Sequence, residues 1–248
     1  MAKRWLAALP VFNEVGAVGG VLDEVRRYAN HILTVDDGST DGTSELLDAR
    51  DDIIVVRHAI NRGYGAALQT AFQFAIDEGF DFVVTLDCDG QHQPKRIPRF
   101  IAACRDVDMV SGSRYLKKYP GDDEAPPERM FINKTITAEI NHRLGLSLTD
   151  AFCGFKAYRV ASLKQLEIQD TGYAMPLELW AQAAMLGMRI LEIPVPRLYL
   201  DLKRSFGGAL DHAETRLNHY RAVLDRSIQQ MEQRGYSLEA ARTHSQAT

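Results

Sequence analysis

Short apolar runs alternate with helix-like stretches through the first half of the chain. Trp5–Leu9, Ile32–Val35, Ile53–Val56, Phe82–Leu86 and Met109–Val110 predict short buried strands. Between them, Val18, Val21, Leu22 and Val25 recur at the three-and-four spacing of an amphipathic helix, and so do Ala67, Leu68, Ala71, Phe72 and Ala75. Strand–helix–strand repetition of this kind predicts an α/β fold, a mostly parallel sheet with helices on both faces. Further on, Met130–Leu144 and about Ala213–Met231 predict two more amphipathic helices. The Tyr119–Pro127 segment, with three prolines, a glycine and three acids, predicts a loop free to move. One domain over 1–235 is expected, with 1–115 and 116–235 as its two halves. The polar residues from Ser237 to Thr248 are expected to fray, so 236–248 is read as a tail.

Composition narrows the class. The chain has 248 residues, 46% of them hydrophobic and 25% charged, enough to bury a sizeable core and unlike a disordered segment. Its net charge of −4 argues against a nucleic-acid binder. No apolar run approaches the ~18 residues of a membrane span. Three scattered cysteines, Cys88, Cys104 and Cys153, fit reduced thiols in a cytoplasmic protein rather than a disulfide framework or a zinc site.

In open α/β sheets ligands bind beyond the carboxyl ends of the strands. Four polar clusters fall there: Pro10-Val-Phe-Asn-Glu14, Asp36-Asp-Gly-Ser-Thr-Asp-Gly-Thr43, Asp87-Cys-Asp-Gly-Gln-His92 and Ser111-Gly-Ser-Arg-Tyr115. Asp87 and Asp89, two residues apart at a strand end, suit one hard cation, Mg2+ or Mn2+. Such a cation takes one or two carboxylates and fills its remaining positions with water and phosphate oxygens. Gln91 adds a neutral oxygen nearby. Asp41 and Thr43 are good helix starts, and a carboxylate in the same stretch can accept hydrogen bonds from a ribose or base. Gly63 and Gly65, in Asn61-Arg-Gly-Tyr-Gly, read as close-packing and turn glycines rather than as a dinucleotide loop.

Taken together, these clusters resemble family 2 glycosyltransferases, and most of all their dolichyl- and polyprenyl-phosphate mannosyl- and glucosyltransferase branch. Thr149-Asp-x-x-Cys-Gly-Phe-Lys-x-Tyr-Arg159 and Gly172-Tyr173 followed by Glu178 extend the likeness over roughly residues 5 to 210. The resemblance implies a GT-A fold and an inverting hexosyl transfer from a nucleotide-diphosphate sugar, of GDP-mannose or UDP-glucose type, to a polyprenyl phosphate or a small-molecule acceptor. It places Pro10, Phe12 and Glu14 in the nucleoside pocket, with Val35 and Asp37 facing base or ribose. Asp87, Cys88 and Asp89 meet the diphosphate, with Asp87, Asp89 and Gln91 at the metal and Arg114 on phosphate. Related enzymes carry a basic stretch near the end of this region; here Arg204, or else Lys203, is expected to supply that charge.

A lipid phosphate is already anionic and needs no base, whereas a hydroxyl acceptor calls for one, for which Asp150 is the candidate. The Met130–Leu144 helix either packs in the core or rests its apolar face on a membrane surface. The Ala213–Met231 helix either covers the sheet or forms a dimer seam. A catalytically silent nucleotide-sugar-binding subunit is the competing expectation.

Overall fold

The computed structural model describes residues 3–200 and 208–245. Seven strands form one sheet: β1 (Trp5–Val11), β2 (Ile32–Asp36), β3 (Ile54–Arg57), β4 (Phe82–Thr85), β5 (Met109–Ser113), β6 (Lys156–Arg159) and β7 (Ile190–Pro194). Their spatial order is β3-β2-β1-β4-β6-β5-β7. Strands β1 to β4 run parallel, and β5 pairs parallel with β7. Strand β6 enters antiparallel between β4 and β5. The carboxyl ends of six strands therefore share one edge with the amino end of β6. That edge is where the site is built.

The pleat sends alternate residues to opposite faces, and both faces are covered. Leu6 and Ala8 of β1 point into one apolar layer, Ala7 and Leu9 into the other. The second layer packs α1 (Val18–Arg26), α2 (Thr43–Asp48) and α4 (Ile97–Ala103), with Phe100 stacked on Phe155 at 4.2 Å. The first layer takes α3 (Tyr64–Asp77), α5 (Pro127–Leu144), α6 (Val160–Leu163), α7 (Met175–Met185) and α8 (Ala213–Gln233).

One open choice is settled here and two expectations change. The apolar side of α5 is core, because Ile132, Ile136, Ile140 and Leu144 are buried. Only Phe131, 58% exposed, is a large apolar residue left outside on that helix. The Tyr119–Pro127 loop is pinned. Asp122 accepts the backbone N–H groups of Tyr119 (2.8 Å) and Arg197 (3.0 Å), and Asp123 accepts that of Tyr199 (2.8 Å). Frayed residues were expected after Ser237, yet Leu238–Ser245 form a helix, α9. Its Ala241 is buried, with its backbone close above Gly187, so contact outweighs polar composition.

Of the two readings of α8, packing inside the molecule is the one found, with Tyr220, Val223, Leu224 and Met231 buried. Among the described residues no helix is long and apolar enough to cross a membrane.

Candidate active site

Four loops are stitched together at the sheet edge. The chain after β1 is tied to the chain after β2: Asn13 donates its N–H to Ser39 Oγ (3.0 Å) and accepts that of Thr40 (2.8 Å). Glu14 and Val15 donate theirs to Thr43 Oγ1 and Asp41 Oδ2. Asn13 sits at φ 55°, the left-handed region that asparagine tolerates better than most residues. Asp41 thus works as a latch on the first loop as well as a helix-start residue, since it also accepts the Thr43 N–H.

Asp36 is fully buried beneath the turn. Burial pushes its pKa up, but hydrogen bonds from Ser44, Ser39 and Arg57 outweigh it and hold the carboxyl below its ordinary value. Asp37 is equally committed. Its oxygens accept the N–H groups of Arg62 (2.9 Å) and Gly63 (2.7 Å), and His58 Nδ1 lies 2.5 Å away. It therefore holds the 61–63 turn open against the pocket. Gly63 and Gly65 are close-packing glycines: a Cβ on either would lie 2.4 and 2.3 Å from the carbonyl oxygens of Thr171 and Asp170.

Asp87 and Asp89 follow β4. Tyr64, at the start of α3, donates its hydroxyl to Asp87 Oδ1 (3.1 Å) and stacks on Tyr173, with centroids 5.7 Å apart. Burial pushes the Tyr64 phenol well above its ordinary range, so it remains a donor. His92 Nδ1 accepts the Asp87 N–H (3.0 Å). The Asp87 carboxylate lies against bare Gly154, where a Cβ would come within 2.5 Å of Oδ2. Gln91 donates both its backbone N–H (3.0 Å) and its side-chain amide (2.7 Å) to Asp89, and so steadies that carboxylate.

Asp150 and Arg114 form the other half. Arg114 grips Asp150 in a bidentate pair, Nε–Oδ2 2.7 Å and Nη2–Oδ1 2.9 Å, and its backbone N–H adds a third bond. Asn133 of α5 donates to Oδ1 (2.8 Å). Glu192 of β7 accepts the N–H groups of Thr149 (2.8 Å) and Asp150 (3.1 Å) and anchors the loop from below. Burial alone would raise the Asp150 pKa, but the Arg114 guanidinium wins and brings it to about 2. Such a carboxylate is a weak base. The base role expected of Asp150 gives way to that of an ion-pair partner which aims Arg114.

One cavity of about 740 Å³ joins these groups. Its walls include Pro10, Phe12, Glu14, Asp37, Asp87, Cys88, Asp89, Gln91 and Arg114, nine of the residues expected from sequence. Val35 is not among them. It is fully buried in β2, which is covered on both faces, and packs in the core. Arg204 and Lys203 lie outside the described residues. Sequence reasoning gave no individual role to Tyr64, Tyr115, Arg129, Tyr199, Arg216 and Tyr220, which also line the cavity. Arg129 and Asn133 are four apart on α5, a spacing that was available as a signal.

The model of the glycosyl transferase family 2 matches residues 7–167, nearly two thirds of the chain. The chain belongs to this family. It is similar to an undecaprenyl-phosphate mannosyltransferase of Micrococcus luteus, 33% identical over 85% of this chain and 90% of that protein. It is also similar to a polyprenol monophosphomannose synthase of Mycolicibacterium smegmatis, 31% identical over 78% of this chain and 77% of that one. The fold matches the crystal structure of glucosyl-3-phosphoglycerate synthase from Mycobacterium tuberculosis in complex with Mg2+ and UDP. The TM-score is 0.70 at 19% identity, covering 92% of this chain and 80% of that one. This family 2 glycosyltransferase thus has the GT-A architecture expected of it.

A divalent cation fits the carboxylate end. Asp87 and Asp89 both line the cavity, and among the described residues no group of three or more His, Cys, Asp or Glu side chains could hold a metal. That set suits an ion which completes its shell with water and substrate phosphate. It does not suit a closed zinc site.

Proposed function

We propose that this enzyme moves a hexose, with inversion, from a nucleotide-diphosphate sugar to a polyprenyl phosphate. The single observation that carries this is the chemistry of the cavity's acceptor-side wall. Among the described residues Arg114, Tyr115, Arg129, Ile132, Asn133, Phe152, Tyr199, Arg216 and Tyr220 line it, and none of these is acidic. A hydroxyl acceptor needs a base on that side, whereas a phosphate monoester arrives ionised and is drawn by arginine. Ile132 and Phe152 add apolar surface beside the arginines. The polyprenyl-phosphate names of the two relatives point the same way.

The donor then lies along the first half, its nucleoside among Pro10, Phe12, Glu14 and Asp37. A cation held by Asp87 and Asp89 would offset charge on the diphosphate. An acceptor phosphate oxygen attacks the anomeric carbon as the carbon–oxygen bond to the diphosphate breaks, and the nucleoside diphosphate leaves with the electron pair. Arg114, kept in register by Asp150, is placed to stabilise charge there.

The test is transfer from radiolabelled GDP-mannose or UDP-glucose, with Mn2+, to polyprenyl phosphate in detergent micelles. The expected product is an organic-soluble β-linked glycosyl phosphate. Transfer only to a soluble hydroxyl acceptor would overturn the acceptor assignment. Nucleotide-sugar binding without transfer or hydrolysis would make the chain a binding subunit.

A further inference from the structure

Lys156 is the first residue of β6 and only 3% exposed. Its Nζ donates to the carbonyl oxygen of Cys153 and lies 5.4 Å from the centre of the fully buried Trp180 ring. Among the described residues no carboxylate comes within ion-pair distance of it. An ammonium in that position is stripped of most of its hydration and is retained only where something opposes the loss. Burial pulls its pKa below the ordinary lysine value, and the opposing upward push of Cys153, Asp150 and Asp87 offsets this only in part.

The carbonyl that Lys156 holds belongs to the loop 150–154. One end of that loop carries Asp150, which aims Arg114; the other carries Gly154, against which the Asp87 carboxylate rests. Trp180 holds the same loop by a different bond, Nε1 to the Ala151 carbonyl at 2.8 Å. Thr85 Oγ1 holds the Gly154 carbonyl at 2.9 Å, so of the three side chains that donate to carbonyl oxygens of this loop only Lys156 is charged.

Building on the donor assignment above, we infer that Lys156 is a positioning residue of the diphosphate subsite. Its buried ammonium fixes the Gly154 seat of Asp87 and adds positive charge beneath the carboxylate pair and the diphosphate. The charge has a signed consequence. It repels a bare cation and attracts an anion, so its removal affects the two ligands in opposite directions. A merely structural support would weaken both together.

The experiment is calorimetric titration of the whole chain with MnCl2 alone, then with UDP or GDP at saturating Mn2+, for wild type, Lys156→Met, Lys156→Gln and Trp180→Phe. Lys156→Met is expected to bind nucleoside diphosphate roughly tenfold more weakly, as for loss of one charge at short range in a protein interior. Its Mn2+ affinity is expected to be equal or higher. Trp180→Phe is expected to lower the melting temperature without changing the ratio of the two affinities.

Lys156→Gln keeps a donor for the Cys153 carbonyl without the charge, and covers the case in which Lys156→Met does not fold. Parallel losses for both ligands, or unchanged diphosphate affinity in a folded variant, would overturn the inference. So would loss of a cooperative melt in both lysine variants, which would make Lys156 a folding residue. Absence of nucleoside diphosphate binding by the wild type would instead remove the donor assignment on which the inference rests.

Discussion

The donor half and the acceptor half of this molecule reach the same cavity by different construction. In the first half, each contributing loop follows a parallel strand and is wired to its neighbour by short polar residues: Asn13 to Ser39 and Thr40, Glu14 to Thr43, Asp37 to Arg62 and Gly63. On the acceptor side of the cavity Arg114 and Tyr115, the last residues of the first half, follow β5 in that manner, and Leu198 and Tyr199 come after β7. The other side chains come from helix faces, Arg129 and Asn133 on α5, Arg216 and Tyr220 on α8, and from a loop that precedes the antiparallel β6. A parallel repeat concentrates chemistry into contiguous motifs. A site assembled from helix faces scatters it along the chain.

The contrast should be visible in mutants. The largest effect is expected for Asp89→Asn, which removes a cation-facing charge from an already well-tied turn. Transfer should fall by roughly a thousandfold with the melting temperature nearly unchanged, because the loss is confined to charge stabilisation in the transition state. Retention of most activity at saturating Mn2+ and donor would sink the metal assignment.

Asp150→Asn should behave in the opposite manner, as a stability mutant of the second half. It leaves Arg114 largely buried without its partner, which typically costs about 3–5 kcal/mol. The pH dependence has a definite sign. The Asp150 pKa falls from 3.8 to about 2 on folding, so its contribution is complete above the unfolded value and disappears as pH drops through the folded one. A difference of that size corresponds to about 2 kcal/mol. Urea melts between pH 6 and pH 2 should show wild type and variant converging toward the acid end. Curves that stay parallel would deny the ion pair its role.

Gly154→Ala probes the seam between the halves, since the added methyl meets Asp87 rather than solvent. A loss of roughly tenfold in donor turnover, with a smaller loss of stability, is expected from a displaced carboxylate. Wild-type kinetics would mean that Asp87 can rest elsewhere without penalty.

The same contrast explains what could be read from sequence. All five strands of the first half, and the clusters after four of them, follow from alternation of apolar runs and polar strand ends. Val35 was misplaced because β2 is buried on both faces, so a residue next to the Asp36–Asp37 turn can still point into the core. Strand β7, Ile190–Pro194, has mixed exposure at the sheet edge and no strong pattern. Its Glu192, which anchors the Asp150 loop, therefore carried no signal. Arg129, Arg216 and Tyr64 belong to helices whose amphipathic pattern was legible, but the rotation of those helices toward the cavity is set by tertiary packing.

The smallest expected effect on the fold is at Phe131, and it bears on how the acceptor half meets a lipid substrate. With Ile132, Ile136 and Ile140 committed to the core, α5 has no continuous apolar face to lay on a bilayer. What remains is one exposed phenylalanine, with Lys134 on the same helix and the cavity-lining Arg129 two residues before it. One aromatic side chain and a few basic residues give a weak, reversible attachment that salt weakens. Because Phe131 lies outside the core, Phe131→Ser should leave the melting temperature within about 1 °C of wild type, as for most surface substitutions. Sedimentation with anionic liposomes should fall in that variant and fall for both proteins as ionic strength rises. If wild type and variant sediment alike at every salt concentration, Phe131 is not the contact. If neither binds anionic liposomes at low salt, the enzyme takes its acceptor from solution or from a partner rather than from a membrane surface.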